Sequence, residues 1–174
     1  MKDLVLITGA SSGIGYEMAN QLAIKKLDLL LVARNGQKLN ELKIELERQH
    51  GINVYVIQKD LADEKNARAL YEDVKKLGLE VTMLVNNAGK GIYGSFSDTD
   101  LDDEVKMVQL NITSLVVLTK LFLQDMLVRK QGRIMNIASL LSFLPFPYYS
   151  VYSATKSFVL AFSETLAAEL EGTG

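Results

Sequence analysis

The run LVLITGASSGIG, residues 4–15, decides the fold. Four apolar residues of strand length, Leu4 to Ile7, lead into three glycines and then into a stretch of helical period. Gly9 permits a tight turn, Gly13 lets the backbone approach a diphosphate, and Gly15 lets the next helix pack closely on the sheet. The N-terminus of that helix offers free N–H groups and the positive end of a dipole to phosphate. The spacing is G-x-x-x-G-x-G, not the commoner G-x-G-x-x-G. A glycine-rich turn that holds no ligand is the competing reading.

Outward from this run, apolar segments of strand length alternate with segments of helical period. Strands are expected at Leu4 to Ile7, Leu27 to Ala33, Val54 to Gln58, Val81 to Val85 and Arg133 to Ala138. Helices are expected at Ile14 to Lys25, Lys38 to Gln49, Asp63 to Lys76, Asp102 to Val128 and Tyr149 to Glu171. Leu39, Leu42 and Leu46 form the inner stripe of one helix, and Ala67, Leu70 and Val74 that of another. The continuous leucines of the second strand predict burial on both faces. Strict alternation predicts an α/β fold with one doubly wound parallel sheet, in a single domain over residues 1–174. Function is then expected at the carboxyl ends of the strands.

Composition narrows the function classes. The chain has 174 residues, 48% apolar and 23% charged, enough for one domain with a core. A net charge of -2 without a basic block gives no reason to expect nucleic acid. There is no cysteine, so disulfide and thiolate chemistry are excluded. The one histidine, His50, reads as an exposed helix-end residue, and no ligand spacing supports a metal. Lys2 is followed by Asp3, and the first apolar run ends at Thr8 and Gly9, which does not read as a signal peptide. The apolar stretch from Leu110 to Val128 carries Lys120, Gln124 and Asp125 and falls short of a membrane span of about 20 residues. A soluble, cytoplasmic protein is expected.

Residues at the remaining strand ends carry further chemistry. Arg34 stands 19 positions after Gly15 (34 − 15) at the end of the second strand. An acid there binds the ribose 2′-OH of NAD, whereas an arginine favours the 2′-phosphate of NADP. An ordinary surface arginine is the alternative. Asp60 can accept from an adenine amino group, and Asp63 reads equally as a helix cap. Asn86-Asn87-Ala88-Gly89 is small enough to lie against a ribose, or is a plain polar turn. Asn111 sits inside an apolar helix, where an amide must find partners. Ser139 closes the fifth strand, 13 residues before Tyr152 (152 − 139). Tyr152 and Lys156 lie four apart on the last helix, hence on one face. A fixed ammonium favours phenolate and so eases proton transfer to or from the tyrosine.

With these residues in order, the chain resembles the short-chain dehydrogenase/reductase family over its whole length. The motifs that carry the likeness are TGASSGIG, Asp60, NNAG, Asn111, Ser139 and YSATK. The resemblance implies a Rossmann-like sheet of strand order 3-2-1-4-5. It implies an Asn-Ser-Tyr-Lys tetrad, here Asn111, Ser139, Tyr152 and Lys156. Tyr152 becomes the general acid for carbonyl reduction, or the base for alcohol oxidation. Ser139 orients the carbonyl, Lys156 holds the nicotinamide ribose and lowers the Tyr152 pKa, and Asn111 holds a relay water. The cofactor set becomes Gly9, Ser11, Ser12, Gly13, Ile14, Gly15, Arg34, Asp60, Leu61, Asn87, Ala88 and Gly89, with Tyr152 and Lys156. Arg34 implies NADP, with NAD possible, since Ser12 stands where such members often have a second basic residue.

The resemblance also implies features beyond this chain. The chain ends at Gly174 without the family's last two strands, its proline-glycine loop or its substrate lid. An exposed edge at the fifth strand is expected, as are weak NADPH binding and poor turnover. Phe158, Phe162 and Leu166 are read as the apolar inner face of the last helix, which is expected to lose cover without those two strands. The segment from Ser142 to Tyr149, with Tyr93 and Phe96 opposite, is read as a wall for a hydrophobic carbonyl or alcohol substrate, or as a loop packed on the core or covered by the missing lid. The long helix is apolar on two sides, Val105, Val108, Ile112, Leu115 and Phe122 on one and Leu110, Val117, Leu121 and Val128 near it. In the family this helix and the last one commonly form a dimer contact. A homodimer or homotetramer is therefore expected in light scattering, and a clean monomer at micromolar concentration rejects it.

Overall fold

Every residue of the first two strands is buried, and that fact sets the layering. The computed structural model describes residues 3–174, so Lys2 lies outside the described residues. Strands β1 (Leu4–Thr8) and β2 (Asp28–Ala33) sit at the centre of a five-stranded sheet with β3 (Val54–Gln58), β4 (Met83–Asn86) and β5 (Arg133–Asn136). The order is β3-β2-β1-β4-β5, and every pairing is parallel. Alternate residues of the leucine run serve opposite faces. Leu29 and Leu31 join Val5 and Ile7 in one core, and Leu30 and Val32 join Leu4 and Leu6 in the other. Each such leucine contributes about 2 kcal/mol by leaving water.

Helices cover the two faces. On one side α1 (Gly13–Ile24) presents Ala19 and Ala23, and α2 (Gly36–His50) presents Leu39, Leu42 and Leu46. On the other side α3 (Glu64–Lys76) presents Ala67, Leu70 and Val74. Asn35 caps α2 through the Lys38 N–H, and Gly51 ends it at φ 63°. Asp63 accepts from the Lys65 N–H and is the cap of α3.

The long helix departs from the single span expected. It runs as α4 (Leu101–Val108), a π-helical turn (Gln109–Thr113) and α5 (Ser114–Arg129). The wider turn arises where Asn111 points inward to partners that a regular helix does not reach. Its inner face is Met107, Leu118, Phe122 and Met126, while Val105 and Val128 are exposed. The stretch Leu101–Arg129 is long and apolar enough to cross a membrane by length and composition. Here its inner residues pack on the sheet.

The last helix is α6 (Ser150–Glu169). Its buried positions are Ser153, Thr155, Lys156 and Val159. Phe158 is exposed and stacks on Phe162, with ring centroids 5.9 Å apart. Phe162 and Leu166 are half-buried, so the expected inner face is partly uncovered, while Thr155 and Lys156 are buried beside the polar site. β5 pairs with β4 only, and Arg133 and Met135 are exposed on it, as expected of an edge.

Candidate active site

The site forms where β1 and β4 part, because connections leave these neighbouring strands for opposite sides of the sheet. A cleft of about 840 Å³ opens there. Its floor is the turn after β1. Gly9 adopts φ 68°, and a Cβ on it would lie 2.9 Å from Ala88 Cα. A Cβ on Gly15 would lie 2.5 Å from both Gly9 O and Asn87 Nδ2. Gly13, at φ 55°, has nothing within 4 Å of its Cβ position and faces open space. Ser12 precedes α1 in an extended conformation without a capping bond from its side chain, and the first turn of α1 has no acid. Free N–H groups, unopposed dipole and empty space above Gly13 fit a diphosphate.

The β4 end is bolted to this turn. Thr8 Oγ1 donates to Val85 O and accepts from the N–H groups of Asn87 and Ala88. Asn87 Nδ2 donates to Thr8 O at 2.9 Å and to Gly9 O at 3.3 Å. Asn87 therefore braces the cradle as well as lining it. Thr8 was missed as a site residue, although it opens the TGASSGIG run.

Arg34 leaves β2 at the far end of the cleft. Among the described residues no carboxylate pairs with it, whereas nearby Lys59 is tied to Asp73 at 2.7 Å. Asn35, Gly36 and Gln37 line this end and were not anticipated; they follow Arg34 directly in sequence. Asp60 Oδ1 accepts from the Ala62 N–H at 3.1 Å. Leu61 is buried, and its carbonyl accepts from the Ser114 hydroxyl. Ser11, Ser12, Ile14, Ala88 and Gly89 also border the cleft. Gly15 lies beneath the turn and Ser139 and Asn111 lie beside the cleft, outside its lining.

At the other end stand Tyr152 and Lys156, one turn apart on α6. Lys156 Nζ lies 6.0 Å from the centre of the Tyr152 ring and donates to Ile137 O at 2.6 Å. Burial holds the Lys156 ammonium below the ordinary lysine range, since the charged form loses solvation. Its partner is a backbone carbonyl, which no side-chain motif could reveal. Asn111 joins two elements: its Oδ1 accepts from Lys90 N, and its Nδ2 donates to Lys90 O and Thr155 Oγ1, all at 3.0 Å. A Cβ on Gly89 would lie 3.5 Å from Lys156 Nζ.

Ser139 caps a short 3₁₀ turn (Leu140–Ser142) by accepting from the Leu141 N–H at 3.2 Å. That bond occupies an acceptor site and leaves the hydroxyl hydrogen free to be donated. The turn is stapled to α6 through Ser142 Oγ to Lys156 O and Ser157 Oγ to Ser142 O. Beyond it, Phe143, Leu144 and Phe146 are exposed together with Tyr93 and Phe96 across the opening. The chain therefore leaves this segment as an apolar rim and does not pack it on the core.

A sequence profile described as short chain dehydrogenase matches residues 3–174. The chain belongs to the short-chain dehydrogenase family. It is 38% identical over 173 residues to human 17-beta-hydroxysteroid dehydrogenase type 3, covering 97% of this chain and 54% of that protein. It is 36% identical over 175 residues to human very-long-chain 3-oxoacyl-CoA reductase, covering 97% and 55%. The chain thus spans about half the length of these relatives. Among solved structures, a short-chain dehydrogenase from Sphingobium yanoikuyae in complex with NADPH has a TM-score of 0.93 at 35% identity, covering 99% of this chain and 67% of that one. A bulky-bulky ketone specific alcohol dehydrogenase from Comamonas testosteroni has a TM-score of 0.93 at 32% identity, covering 99% and 69%. The family's members are dehydrogenases and reductases, and the glycine cradle of this chain fits a nicotinamide dinucleotide.

Proposed function

We propose that the chain forms the cofactor-binding and catalytic part of an NADP-dependent reductase of a hydrophobic ketone, or dehydrogenase of the matching secondary alcohol. The observation that carries this reading is the polarity of the cleft. Arg34, which pairs with no carboxylate among the described residues, stands at one end, and the Tyr152–Lys156 pair stands at the other. When bound, the nicotinamide supplies or accepts the hydride. Tyr152 gives its phenolic proton to the carbonyl oxygen, and the Ser139 hydroxyl donates a hydrogen bond to the same atom. Lys156 holds the ribose and favours the phenolate that is left behind. Asn111 braces the Lys90 loop against α6, and the second lone pair of its Oδ1 can receive the relay water. The exposed aromatic rim supports an apolar substrate. The exposed Leu127 and Val128 of α5 support the homodimer.

Arg34→Asp tests the cofactor half of this reading. An acid beside a 2′-phosphate replaces a charge-assisted bond with repulsion. The ratio of NADPH to NADH affinity, from nucleotide fluorescence titrations, is expected to fall by about 10²-fold, or about 3 kcal/mol. An unchanged ratio removes the NADP assignment.

A second reading is a cofactor-binding module with little turnover. Its support is the β5 edge, which among the described residues pairs with β4 alone. NADPH binding without ketone-dependent NADPH oxidation favours it.

A further inference from the structure

Four tyrosines touch ring to ring beside the cleft. The Tyr149 ring meets Tyr152 at 5.8 Å between centroids and 56° between planes. It meets Tyr93 at 5.1 Å and 54°, and Tyr93 in turn meets Tyr148 at 5.7 Å. These are tilted arrangements of the kind that aromatic quadrupoles favour. Tyr149 is the half-buried member of an otherwise exposed run from Phe143 to Ser150.

The backbone is strained to place it. Tyr148 has φ 68°, in the left-handed region that an aromatic residue avoids. The other non-glycine residues with positive φ, Lys26 and Lys130, follow the ends of helices, where that conformation is an ordinary stop. Tyr148 precedes a helix instead. Its carbonyl is held by the Gly94 N–H at 3.0 Å, and the Tyr149 N–H donates to Phe146 O at 3.1 Å. The Tyr149 carbonyl accepts the Ser153 N–H at 2.8 Å and so starts α6. Strain of this kind persists only where surrounding contacts over-determine it.

Tyr152 itself is held by packing. Among the described residues none hydrogen-bonds its hydroxyl, which leaves that group free for substrate. A Cβ on Gly91 would lie 3.3 Å from the Tyr152 ring, so backbone already rests against it. Tyr149 supplies the aromatic contact. We propose that Tyr149 is a positioning residue: braced by Tyr93 and the strained Tyr148 turn, its ring sets the angle of the Tyr152 ring and so aims the phenolic proton. The inference rests on Tyr152 as the proton donor of the reading above. It needs the Tyr149 ring but not its hydroxyl.

Single-turnover and steady-state oxidation of NADPH against a panel of bulky ketones tests this in four proteins: wild type, Tyr149→Ala, Tyr149→Phe and Tyr93→Ala. Tyr149→Ala is expected to lower kcat by roughly ten- to a hundredfold, the scale of an ångström-level misplacement. KM and NADPH affinity are expected to stay within about threefold, and Tyr149→Phe within about twofold of wild type throughout. Tyr93→Ala is expected to give a smaller loss in kcat in the same direction. A rise in KM at unchanged kcat would make Tyr149 a substrate wall and overturn the proposal, as would full activity in Tyr149→Ala. If circular dichroism shows that Tyr149→Ala does not fold, Tyr93→Ala decides: loss of kcat at an unchanged melting temperature supports the inference, and unchanged kcat overturns it. A wild-type chain that binds NADPH yet reduces no ketone overturns the proton-donor reading, and this inference with it.

Discussion

Tyr152→Phe is expected to lower the rate of ketone-dependent NADPH oxidation by about 10²- to 10⁴-fold, the range for loss of a general acid. That corresponds to about 3 to 5 kcal/mol of barrier. The substitution is clean because the ring is kept. The Tyr149 ring packs on the Tyr152 ring, a Cβ on Gly91 would meet only ring carbons, and among the described residues no hydrogen bond holds the hydroxyl. Fold and NADPH affinity should therefore be preserved while the proton is lost. Stopped-flow absorbance of NADPH, with fluorescence titration alongside, checks both halves. A phenylalanine variant as fast as wild type would mean that the proton comes from elsewhere, and the role given to Tyr152 would be withdrawn.

Gly15→Ala is expected to act on fold and cofactor together. The added methyl would sit 2.5 Å from Gly9 O and 2.5 Å from Asn87 Nδ2, two atoms already bonded to each other at 3.3 Å. Neither can yield without breaking the brace between the β4 end and the glycine turn. Overpacking of this kind costs about 1 to 3 kcal/mol. NADPH affinity should drop by about tenfold or more, because the displaced turn carries the N–H groups that receive the diphosphate. Gly13→Ala makes the informative contrast. Its methyl meets no protein atom within 4 Å, and only its φ of 55° opposes it, at about 1 to 2 kcal/mol. It should therefore weaken NADPH mainly by occupying the ligand's space. Melting curves and titrations of both variants separate the two roles, and a Gly15→Ala protein that melts and binds like wild type contradicts the packing argument.

Much of this architecture was legible because the controlling residues act through local chemistry. The leucines of β2, buried on both faces, suit a parallel sheet sandwiched by helices, and the strand order agrees with what the family resemblance implies. The glycines after β1 could be assigned separate duties because the left-handed turns and close approaches they allow are steric facts about single residues. Gly9, Arg34, Asp60, Asn87 and Ser139 follow the carboxyl ends of strands, where such folds place function, whereas Asn111, Tyr152 and Lys156 lie on helices.

What stayed hidden depends on backbone groups and on neighbours distant in sequence. Lys156 bonds the carbonyl of Ile137, and every residue has a carbonyl, so nothing in the sequence singles that one out. Asn111 was conspicuous as an amide in an apolar helix, but its partners Lys90 and Thr155 come from two other segments. On α6, Phe158 is exposed and stacked on the half-buried Phe162, so the face read as inner is short of cover, as expected.

The π turn at Gln109–Thr113 has a consequence for how this helix can change. An α-helix advances 100° per residue, so a turn one residue wider shifts the phase of everything that follows it. Met107 before the turn and Leu118, Phe122 and Met126 after it face the protein interior. Asn111 sits at the joint and fastens it to the Lys90 loop and α6. The helix therefore behaves like a keyed shaft. A side chain on it can be exchanged, but adding or removing one residue in the joint would turn one half against the other and carry Asn111 away from its partners.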